Sequence, residues 1–493
     1  MNLSPDSNPF EQVSGQARLA NPGLLAGIGI ATLVTAVIVA KLELLGVIFC
    51  VGVIGLVFYL NLIFKNPRLG ILSVLVMGFL ANGLSRYVQL PWGLSIDGLI
   101  VLTYLALFFK GFETKLKWKK AKSGLTLVTA LWMVYVLFQL INPEAVSLEA
   151  WFYAMRGLAM YQWLMIPLAF MLFNKPRDLK IFFLIWGVLS VMGTLKGFQQ
   201  FFLGVDPWEQ NWLNQGGAET HILFGKLRIF SFYSDAGQYG ASQGHAAVVF
   251  GILALFNKHN TRLRMFFAAV ALAGLLGMVI SGTRGAIAVP AIGGIVFLIL
   301  RKNLPILILG GLLGVGVYIF FAHTTIGQGN AEIRRMRTAF DPNEASLQVR
   351  LDNQKKLSGY LASRPFGGGV GATGNWGQRF TPHTFLANTA TDSWYVMIWA
   401  DTGAFGLTIY LIIILSILIK GAYHVMAKIK DPWLSAQITA LVCGMAGIMV
   451  ASYGNGVFGQ FPTGILMYLG MVFMFLAPKW EKQYKNTLKK QLY

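Results

Sequence analysis

Apolar residues follow one another in long blocks along this chain, and short polar segments separate the blocks. Each block has roughly 17 to 25 residues, which is the length an α-helix needs to cross the hydrocarbon core of a bilayer. Because a membrane-spanning segment must satisfy its own backbone polar groups, the blocks predict helices. The sequence therefore predicts an all-α polytopic membrane protein with about fourteen transmembrane helices. The predicted spans lie near residues 24–40, 43–64, 69–84, 93–109, 123–141, 157–173, 181–203, 240–256, 265–280, 284–300, 304–322, 403–419, 436–453 and 461–477.

Composition and charge agree with this class. Hydrophobic residues make up 55% of the 493 residues, charged residues make up 12%, and the mean hydropathy is +0.60. A net charge of +20 raises nucleic acid as a partner of a soluble protein. Here most Lys and Arg residues fall in every second connecting segment, which is the positive-inside pattern. We therefore expect both termini in the cytoplasm, basic segments against anionic membrane lipids, and no nucleic acid partner.

Two connecting segments are too long to be simple turns. They cover residues 204–239 and 323–402, and the same charge pattern predicts that both lie outside the cytoplasm. Loops of this length are usually functional or disordered. The predicted organisation is an N-terminal bundle at 1–180, a bundle at 181–322 that includes the first external loop, a large external loop with short helices at 323–402, and C-terminal helices with a basic tail at 403–493.

Arg284 is the only charged residue between Met265 and Leu300. A guanidinium within a bilayer costs roughly 2.5 to 3.5 kcal/mol on insertion scales, so it persists where it faces a cavity or an anionic partner. Glycines flank its turn at positions 282 and 285, which breaks an otherwise continuous apolar stretch. Arg284 therefore predicts a functional site.

Other charged residues are predicted near the same, external ends of their helices. This asymmetry favours a water-accessible cavity that is open to the outside and suited to an anionic substrate. The residues concerned are Asp97, Arg156, Lys196, Asp392 and Asp401.

Some of these residues have a structural alternative. Lys196 and Arg156 are also consistent with side chains that extend to lipid phosphates and have no further role. Asp97 is consistent with a favourable contact to the N-terminal dipole of its helix. A lone histidine such as His383 is more often a satisfied polar contact than a functional group.

The chain contains no Asp-x-Asp pair, so no carboxylate arrangement typical of divalent metal and nucleotide-sugar binding is present in the sequence. A phosphate-bearing substrate is then expected to be neutralised by arginines, whose planar fork binds phosphate oxygens in pairs. We expect neither a metal nor another cofactor.

Four short motifs follow in order along residues 180–420. They are Ser-Gly-Thr-Arg-Gly-Ala at 281–286, a helix led by Arg350, a turn with Pro365 and Gly369-x-Gly371, and Asp392-Ser393-x-Tyr395 followed by Asp401-x-Gly403. The glycine-rich turn is typical of a sharp bend in the chain. The alternative is that its backbone N–H groups form a cradle that binds phosphate. Together the motifs resemble the O-antigen polymerase and O-antigen ligase superfamily of bacterial membrane glycosyltransferases.

The resemblance implies a GT-C-like, metal-independent enzyme in the bacterial inner membrane, with an active site that faces the periplasm. Its substrates would be an oligosaccharide on an undecaprenyl-pyrophosphate carrier and a glycan acceptor. Arg284 and Arg350 fall on the two family arginines that hold the pyrophosphate. Lys196 and Arg156 are further predicted pyrophosphate contacts, from the charge pattern.

One motif departs from the ligases, which usually have His-Asn where this chain has Asp392-Ser393. A carboxylate can deprotonate a sugar hydroxyl that lies within hydrogen-bond reach, so Asp392 is the predicted base and His383 the alternative. Trp376, Trp394 and Tyr395 are predicted to stack on sugar rings. The departure favours a polymerase of polysaccharide repeat units, for which a chain-length regulator is a further candidate partner.

Two alternatives remain open at this stage. The first is an O-antigen ligase that attaches finished glycan to lipid A-core or to a protein. The second is a flippase or transporter of lipid-linked glycan, for which alternating access usually brings internal repeats and charged groups near the midplane. The sequence has no evident internal repeat, and the predicted inner halves of the helices carry almost no charge.

Overall fold

The fold is described from a computed structural model. It describes residues 22–491 except 117, 224, 302–303, 330–332, 335–336, 339–340 and 342. Contacts divide the chain into two compact units, Met1–Pro67 and Arg68–Tyr493. The division predicted at residues 180, 322 and 402 remains a prediction.

The described part of the first unit is a single long helix, α1 (Pro22–Lys65). Its backbone leaves the helical region at Glu43, where φ is 49° and ψ is −126°. Lys41 and Glu43 are the polar residues between the first two apolar blocks. The two predicted spans are therefore the two arms of one bent helix.

The second unit is almost entirely helical. Its α-helices are α2 (Arg68–Tyr87), α3 (Gly93–Glu113), α4 (Gly124–Phe138), α5 (Leu148–Met155), α6 (Tyr161–Leu172), α7 (Pro176–Phe202), α8 (Pro207–Trp212), α9 (Ala218–His221), α10 (Ala236–Phe256), α11 (Thr261–Ile280), α12 (Ala288–Arg301), α13 (Leu304–His323), α14 (Ala345–Leu361), α15 (Gly374–Phe380), α16 (Trp394–Tyr423), α17 (Pro432–Ala451) and α18 (Thr463–Gln491).

Short elements complete this unit. Strands β1 (Ile222–Leu223) and β2 (Lys226–Leu227) pair antiparallel, with Ile222 opposite Leu227. The 3-10 segments are Trp118–Lys120, Gln139–Ile141, Arg284–Ile287 and Val457–Gly459, and the π segments are Arg156–Met160, Leu213–Gly217 and His424–Lys428.

Eleven helices of the described chain are long and apolar enough to cross a membrane, and they coincide with eleven of the fourteen predicted spans. Two further predicted spans are shorter apolar helices, Gly29–Lys41 and Ile308–His323. The span predicted at 157–173 is α6, which has 12 residues and follows directly on a π segment. The all-α polytopic membrane fold is confirmed, and the count of fourteen remains a prediction.

Helices α10, α17 and α18 form the centre of the second unit, because most of their residues are buried. Helix α10 packs against α11 and α17, and α17 also packs against α12. Small residues permit this close approach. A Cβ added at Gly274 of α11 would lie 2.7 Å from the carbonyl oxygen of Gln243 in α10. Close packing through small residues is typical of membrane helices.

The first long loop, residues 203–235, joins α7 to α10 and is held by Arg86 at the end of α2. The Arg86 guanidinium donates to the carbonyl oxygen of Ser231 at 2.6 Å and to that of Tyr233. It also lies 4.7 Å from the ring centre of Trp212 and 4.3 Å from that of Phe230. These four contacts of the buried Arg86 side chain hold the loop in place.

The second long loop, residues 324–393, carries α14 and α15. Leu357 and Leu361 of α14 pack against Val396 and Ala400 at the start of α16, in a small core separate from the main one. The loop ends at residue 393, nine residues before its predicted end at 402, because α16 already begins at Trp394.

The glycine-rich turn packs directly on a break in α16. Gly403 has a φ of 71°, and a side chain there would collide with the backbone of Pro365. The N–H of Gly368 donates to the carbonyl oxygen of Ala400 at 2.9 Å, and the N–H of Gly371 donates to Asp401 at 3.0 Å. Because these amides are already used within the protein, the turn is a structural contact, and the phosphate-cradle alternative is not supported.

Candidate active site

Arg284 lies in a backbone break between α11 and α12. Gly282 adopts a φ of 58°, a left-handed conformation that glycine adopts without steric cost. The Thr283 hydroxyl donates to the carbonyl oxygen of Ala236 at 2.8 Å, which ties the turn to the first residue of α10. The turn therefore holds Arg284 at the junction of three apolar helices.

The second long loop docks onto the Arg284 side chain. Its guanidinium donates to the hydroxyl of Thr338 at 3.0 Å and to that of Ser346 at 2.8 Å. It also forms an ion pair with Glu344 at 2.6 Å. About a quarter of the Arg284 side chain is exposed. Arg284 is thus held firmly from one side.

Glu344 is the N-cap of α14, where its carboxylate accepts the N–H of Leu347 at 2.9 Å. Desolvation alone raises the pKa of Glu344, but the hydrogen bonds from Arg284, Ser346 and the backbone outweigh it and lower the pKa to about 2. Glu344 is therefore ionised at neutral pH and compensates part of the Arg284 charge.

Arg350 lies one and a half turns into α14, close to Asp392. Its Nε is 3.5 Å from Oδ2 of Asp392, and the side chains are 37% and 47% exposed. No further hydrogen bond or ion pair of Arg350 occurs within the described residues. Asp392 has a φ of 48°, a conformation that few residues other than glycine adopt and that is found mainly at turns and functional sites. Arg350 thus keeps most of its N–H groups available.

The two predicted arginines line one cavity of about 190 Å³, together with Arg228. We call it the arginine cavity. Its described lining holds three guanidinium groups and no carboxylate. The lining residues are Arg228, Gly282, Thr283, Arg284, Gly285, Ser346, Arg350, Gly454 and Asn455. This arrangement favours an anion with several oxygen atoms.

Arg228 was not among the predicted site residues. It follows β2 in the first long loop, and its N–H donates to the carbonyl oxygen of His221 at 2.8 Å. The only sequence signal was a basic residue in a loop predicted to be external. Its proximity to Arg284 depends on the folded loop, which Arg86 holds in place.

Lys196 and Arg156 do not line the arginine cavity. Lys196 forms ion pairs with Asp206 at 2.8 Å and Glu209 at 3.1 Å, and Arg156 pairs with Asp97. Carboxylates of the protein neutralise both cations. Their contact with pyrophosphate stays a prediction, and these ion pairs do not favour it, because the sequence argument counted the basic residues without their acidic partners.

Trp394 and Tyr395 lie in the packed start of α16. Trp394 is 6% exposed, donates through its indole N–H to the Tyr410 hydroxyl at 2.8 Å, and stacks near Phe458. The Tyr395 hydroxyl donates to the carbonyl oxygen of Met449 at 2.7 Å. Stacking of these rings on sugar stays a prediction that this packing does not favour, because α16 starts earlier than expected and packs them against α17 and the 3-10 segment Val457–Gly459.

Trp376 is half-buried on α15 and stacks on Tyr153 with ring centres 4.8 Å apart. Phe380 stacks on the same Tyr153 ring at 5.5 Å. His383 follows on an exposed segment and has no partner among the described residues. Neither Trp376 nor His383 lines the arginine cavity, so the predicted catalytic and sugar-binding residues are not all brought together.

Metal ligands are not clustered in the described part of the chain, where no group of three or more His, Cys, Asp or Glu side chains could hold a metal ion.

Residues 267–411 match the model of a protein family described as O-antigen ligase. The matched segment runs from α11 into α16 and includes Arg284, Arg350, Asp392 and Asp401. No curated protein matches the chain. Members of this family are glycosyltransferase-like membrane enzymes. This segment, which is less than half of the chain, is therefore similar to the O-antigen ligase family and supports the resemblance to the O-antigen polymerase and O-antigen ligase superfamily.

Proposed function

We propose that the protein is a polymerase of polysaccharide repeat units. It transfers a glycan from an undecaprenyl-pyrophosphate carrier to a sugar hydroxyl of the acceptor glycan. The observation that carries this proposal is the arginine cavity, in which Arg228, Arg284 and Arg350 meet without a carboxylate in the described lining.

The cavity suits a diphosphate leaving group. As the bond between the sugar and the diphosphate breaks, negative charge grows on the leaving oxygen, and guanidinium groups aimed at it stabilise the transition state. Arg284 is already fixed by Thr338, Ser346 and Glu344, so it needs little reorganisation. Arg350 contributes N–H groups that no described residue occupies. Because the arginines supply the positive charge, we propose that the transfer does not depend on a metal ion.

Asp392 is the proposed general base. Its carboxylate is 47% exposed and lies beside Arg350, so an acceptor hydroxyl next to the diphosphate would be within its reach. Asp392 takes the proton of that hydroxyl as the new glycosidic bond forms, and the carrier leaves as its diphosphate. General base catalysis of this kind contributes about 100-fold to 10,000-fold. Among the predicted sugar-stacking residues, Trp376 remains the candidate for an acceptor contact.

The distribution of basic residues supports an orientation. Because most Lys and Arg residues fall in every second connecting segment, we propose that both termini are cytoplasmic and that the arginine cavity faces the periplasmic side of the inner membrane. A carrier that presents its glycan on that side would reach the cavity from the membrane.

The test is reconstitution with a lipid-linked repeat unit, in which polymer and released undecaprenyl pyrophosphate are both measured. Arg284→Ala and Arg350→Ala are each expected to lower turnover about 100-fold to 1,000-fold, as the loss of one transition-state donor does. Arg228→Ala is expected to act in the same direction. Arg177→Ala, at an exposed position in the first turn of α7, is the control. Normal polymer from Arg284→Ala or Arg350→Ala would refute the proposal that these arginines bind the diphosphate. Strict dependence on a divalent ion would refute the metal-independent mechanism.

The family match keeps O-antigen ligase as a second candidate, since the matched family is described by that activity. The same assay separates the two with lipid A-core as the acceptor. Attachment of preformed glycan without chain growth indicates a ligase, and chain growth indicates a polymerase. Movement of the carrier across the vesicle membrane without formation of a new glycosidic bond would indicate a flippase.

A further inference from the structure

We propose that a cavity at the far end of α18 from the arginine cavity binds the phosphodiester headgroup of an anionic phospholipid. We call it the lysine cavity, and its volume is about 180 Å³. Asn455 lines the arginine cavity and precedes α18, whereas the lysine cavity is lined by side chains between residues 476 and 483 of that helix. At 1.5 Å per residue, the two cavities are about 20 to 30 Å apart along α18. The complete described lining is Lys120, Phe170, Asn174, Leu476, Lys479, Trp480 and Gln483.

Three segments of the chain build the lysine cavity. The 3-10 segment Trp118–Lys120 packs against α6, and α6 packs against α18. Asn174 lies just after α6 and joins the other two segments. Its side-chain oxygen accepts the Lys120 ammonium at 2.8 Å, and its carbonyl oxygen accepts the indole N–H of Trp480, which is 4% exposed, at 3.0 Å. Contacts between distant parts of the sequence therefore fix the walls of the cavity.

The lysine cavity lies at the ends of two candidate membrane spans. The span Gly124–Ile141 begins soon after Lys120, and the span Thr463–Gln483 ends at a lining residue. Trp118, in the same 3-10 segment as Lys120, is 52% exposed, and tryptophan is enriched at the level of the lipid headgroups. The cavity is therefore expected at headgroup depth. In the orientation proposed above, it faces the cytoplasmic leaflet of the membrane.

Two ammonium groups give the lysine cavity a positive charge. They belong to Lys120 and Lys479, and the described lining contains no carboxylate. Lys479 is exposed and makes no hydrogen bond or ion pair within the described residues. An ammonium group is a compact charge with three donors, and it binds phosphate oxygens. The cavity therefore favours an anion.

The acids that are nearest in the sequence have contacts elsewhere. The Glu481 carboxylate accepts the N–H of Asp431, the N-cap of α17, at 3.1 Å. The Asp178 carboxylate accepts the N–H groups of Asn174 and Lys175 at 2.8 and 2.9 Å, at the start of α7. Neither carboxylate lines the lysine cavity, so an anion that enters it meets the two lysines first.

The lining favours a phospholipid over a soluble phosphate. Phe170 and Leu476 are 4% and 8% exposed and give the cavity an apolar wall beside the two lysines. In a phospholipid the phosphodiester is joined to an apolar glycerol diester, so a lipid contacts both parts of this lining. Basic pockets between membrane helices bind acidic headgroups in this way. A zwitterionic headgroup fits less well, because the lysines repel its choline cation. The ligand is therefore an anionic phospholipid such as phosphatidylglycerol.

The test titrates the full chain in detergent with phosphatidylglycerol and counts the bound lipid by native mass spectrometry. Lys120→Ala with Lys479→Ala is expected to weaken binding about 30-fold, because each lysine beside an acidic headgroup contributes about fivefold. Lys479→Ala alone, which removes no described contact, is expected to weaken binding about fivefold. Lys119→Ala with Lys482→Ala is the matched control. Both of these lysines are exposed and do not line the cavity, so the same loss of charge should change binding less than about twofold.

Two further ligands separate the sources of phosphate. Phosphatidylcholine is expected to bind about 10-fold more weakly than phosphatidylglycerol, and millimolar inorganic phosphate is expected not to displace the lipid. No bound lipid on the wild type, or equal losses in the two double variants, would overturn the site. Equal binding of both lipids would contradict an anionic headgroup, and displacement by inorganic phosphate would show a site for soluble phosphate instead. None of these measurements uses turnover, so their outcome is independent of the proposed function.

Discussion

The carboxylate of Asp401 accepts the hydroxyl of Thr373 at 2.8 Å, and so joins α16 to the turn that follows the glycine motif. The backbone N–H groups of Thr373 and Gly371 donate to the same carboxylate at 3.2 and 3.0 Å. Asp401 is 2% exposed. Two motifs that are separate in the sequence therefore form one structural contact, which fixes the second long loop on the membrane helix.

Asp401→Ala is expected to destabilise this contact strongly. The substitution leaves buried donors of Gly371 and Thr373 without acceptors, and each unsatisfied buried group costs about 1 to 3 kcal/mol. Thermal unfolding in detergent should show a lower midpoint, and proteolysis should cut within 365–373 at lower protease concentration. Asp352→Ala, at an exposed position of α14, is the control and should change neither. An unchanged midpoint for Asp401→Ala would mean that the contact contributes nothing to stability.

Lys196→Ala tests whether Lys196 has a structural role, since carboxylates of the protein neutralise its charge. Lys196 is 12% exposed and Glu209 only 1%, so its removal takes the ion-pair partner at 3.1 Å from a buried carboxylate. Breaking a buried pair in this way costs about 3 to 5 kcal/mol. We expect a lower unfolding midpoint, partly restored in Lys196→Ala with Glu209→Gln, and near-normal turnover per folded molecule. A loss of turnover without a loss of stability would instead support the predicted contact between Lys196 and the pyrophosphate.

The sequence predicted the features that depend on local pattern. Apolar block length located eleven of the membrane helices. Arg284 and Arg350 were predicted to act together, and both line the arginine cavity. In any fold, a guanidinium within an apolar stretch needs a cavity or an anionic partner. This inference therefore did not require knowledge of the tertiary structure.

The features that the sequence did not predict depend on contacts between distant segments. Arg228 reaches the cavity through the fold of the first long loop, and the acidic partners of Lys196 lie in that same loop. Ser346 is a residue type that often caps a helix, but Glu344 is the N-cap of α14, and the Ser346 hydroxyl donates to Glu344 and accepts from Arg284. A serine is usually the stronger capping residue, and here the tertiary contact with Arg284 decides the outcome.

Glu344 makes the stability of the second long loop dependent on pH. Its pKa is lowered from 4.5 to about 2 in the folded protein. A lowered folded pKa means that the contribution is fully present above the unfolded value and is lost as pH falls towards the folded value. The unfolding midpoint of the wild type should therefore exceed that of Glu344→Gln at pH 7, and the gap should narrow below about pH 4.5.

Glu219→Gln, at an exposed position of α9, is the control and should leave the midpoint close to the wild-type value over the whole range. A gap between wild type and Glu344→Gln that stays constant from pH 7 to about pH 3 would show that the charge of Glu344 does not contribute. The gap would then come from the altered hydrogen bonds of the glutamine side chain and not from the lost charge.

Asp392→Asn separates a catalytic role from a structural one. The ion pair with Arg350 is 3.5 Å long and largely exposed, and exposed pairs contribute about 0 to 1 kcal/mol. The substitution should therefore leave the unfolding midpoint nearly unchanged. If Asp392 takes the proton of the acceptor hydroxyl, turnover should fall about 100-fold to 10,000-fold, because an amide cannot accept that proton. Asp352→Asn is the control for the loss of one carboxylate from this loop.

The same experiment decides between the two predicted bases. His383→Ala should leave turnover within about twofold if Asp392 is the base, because Asp392 lies 3.5 Å from Arg350 and no described contact joins His383 to the arginines of the cavity. If His383→Ala loses turnover and Asp392→Asn does not, the acceptor binds on the Trp376 side of the loop. In that case Asp392 serves only to orient Arg350.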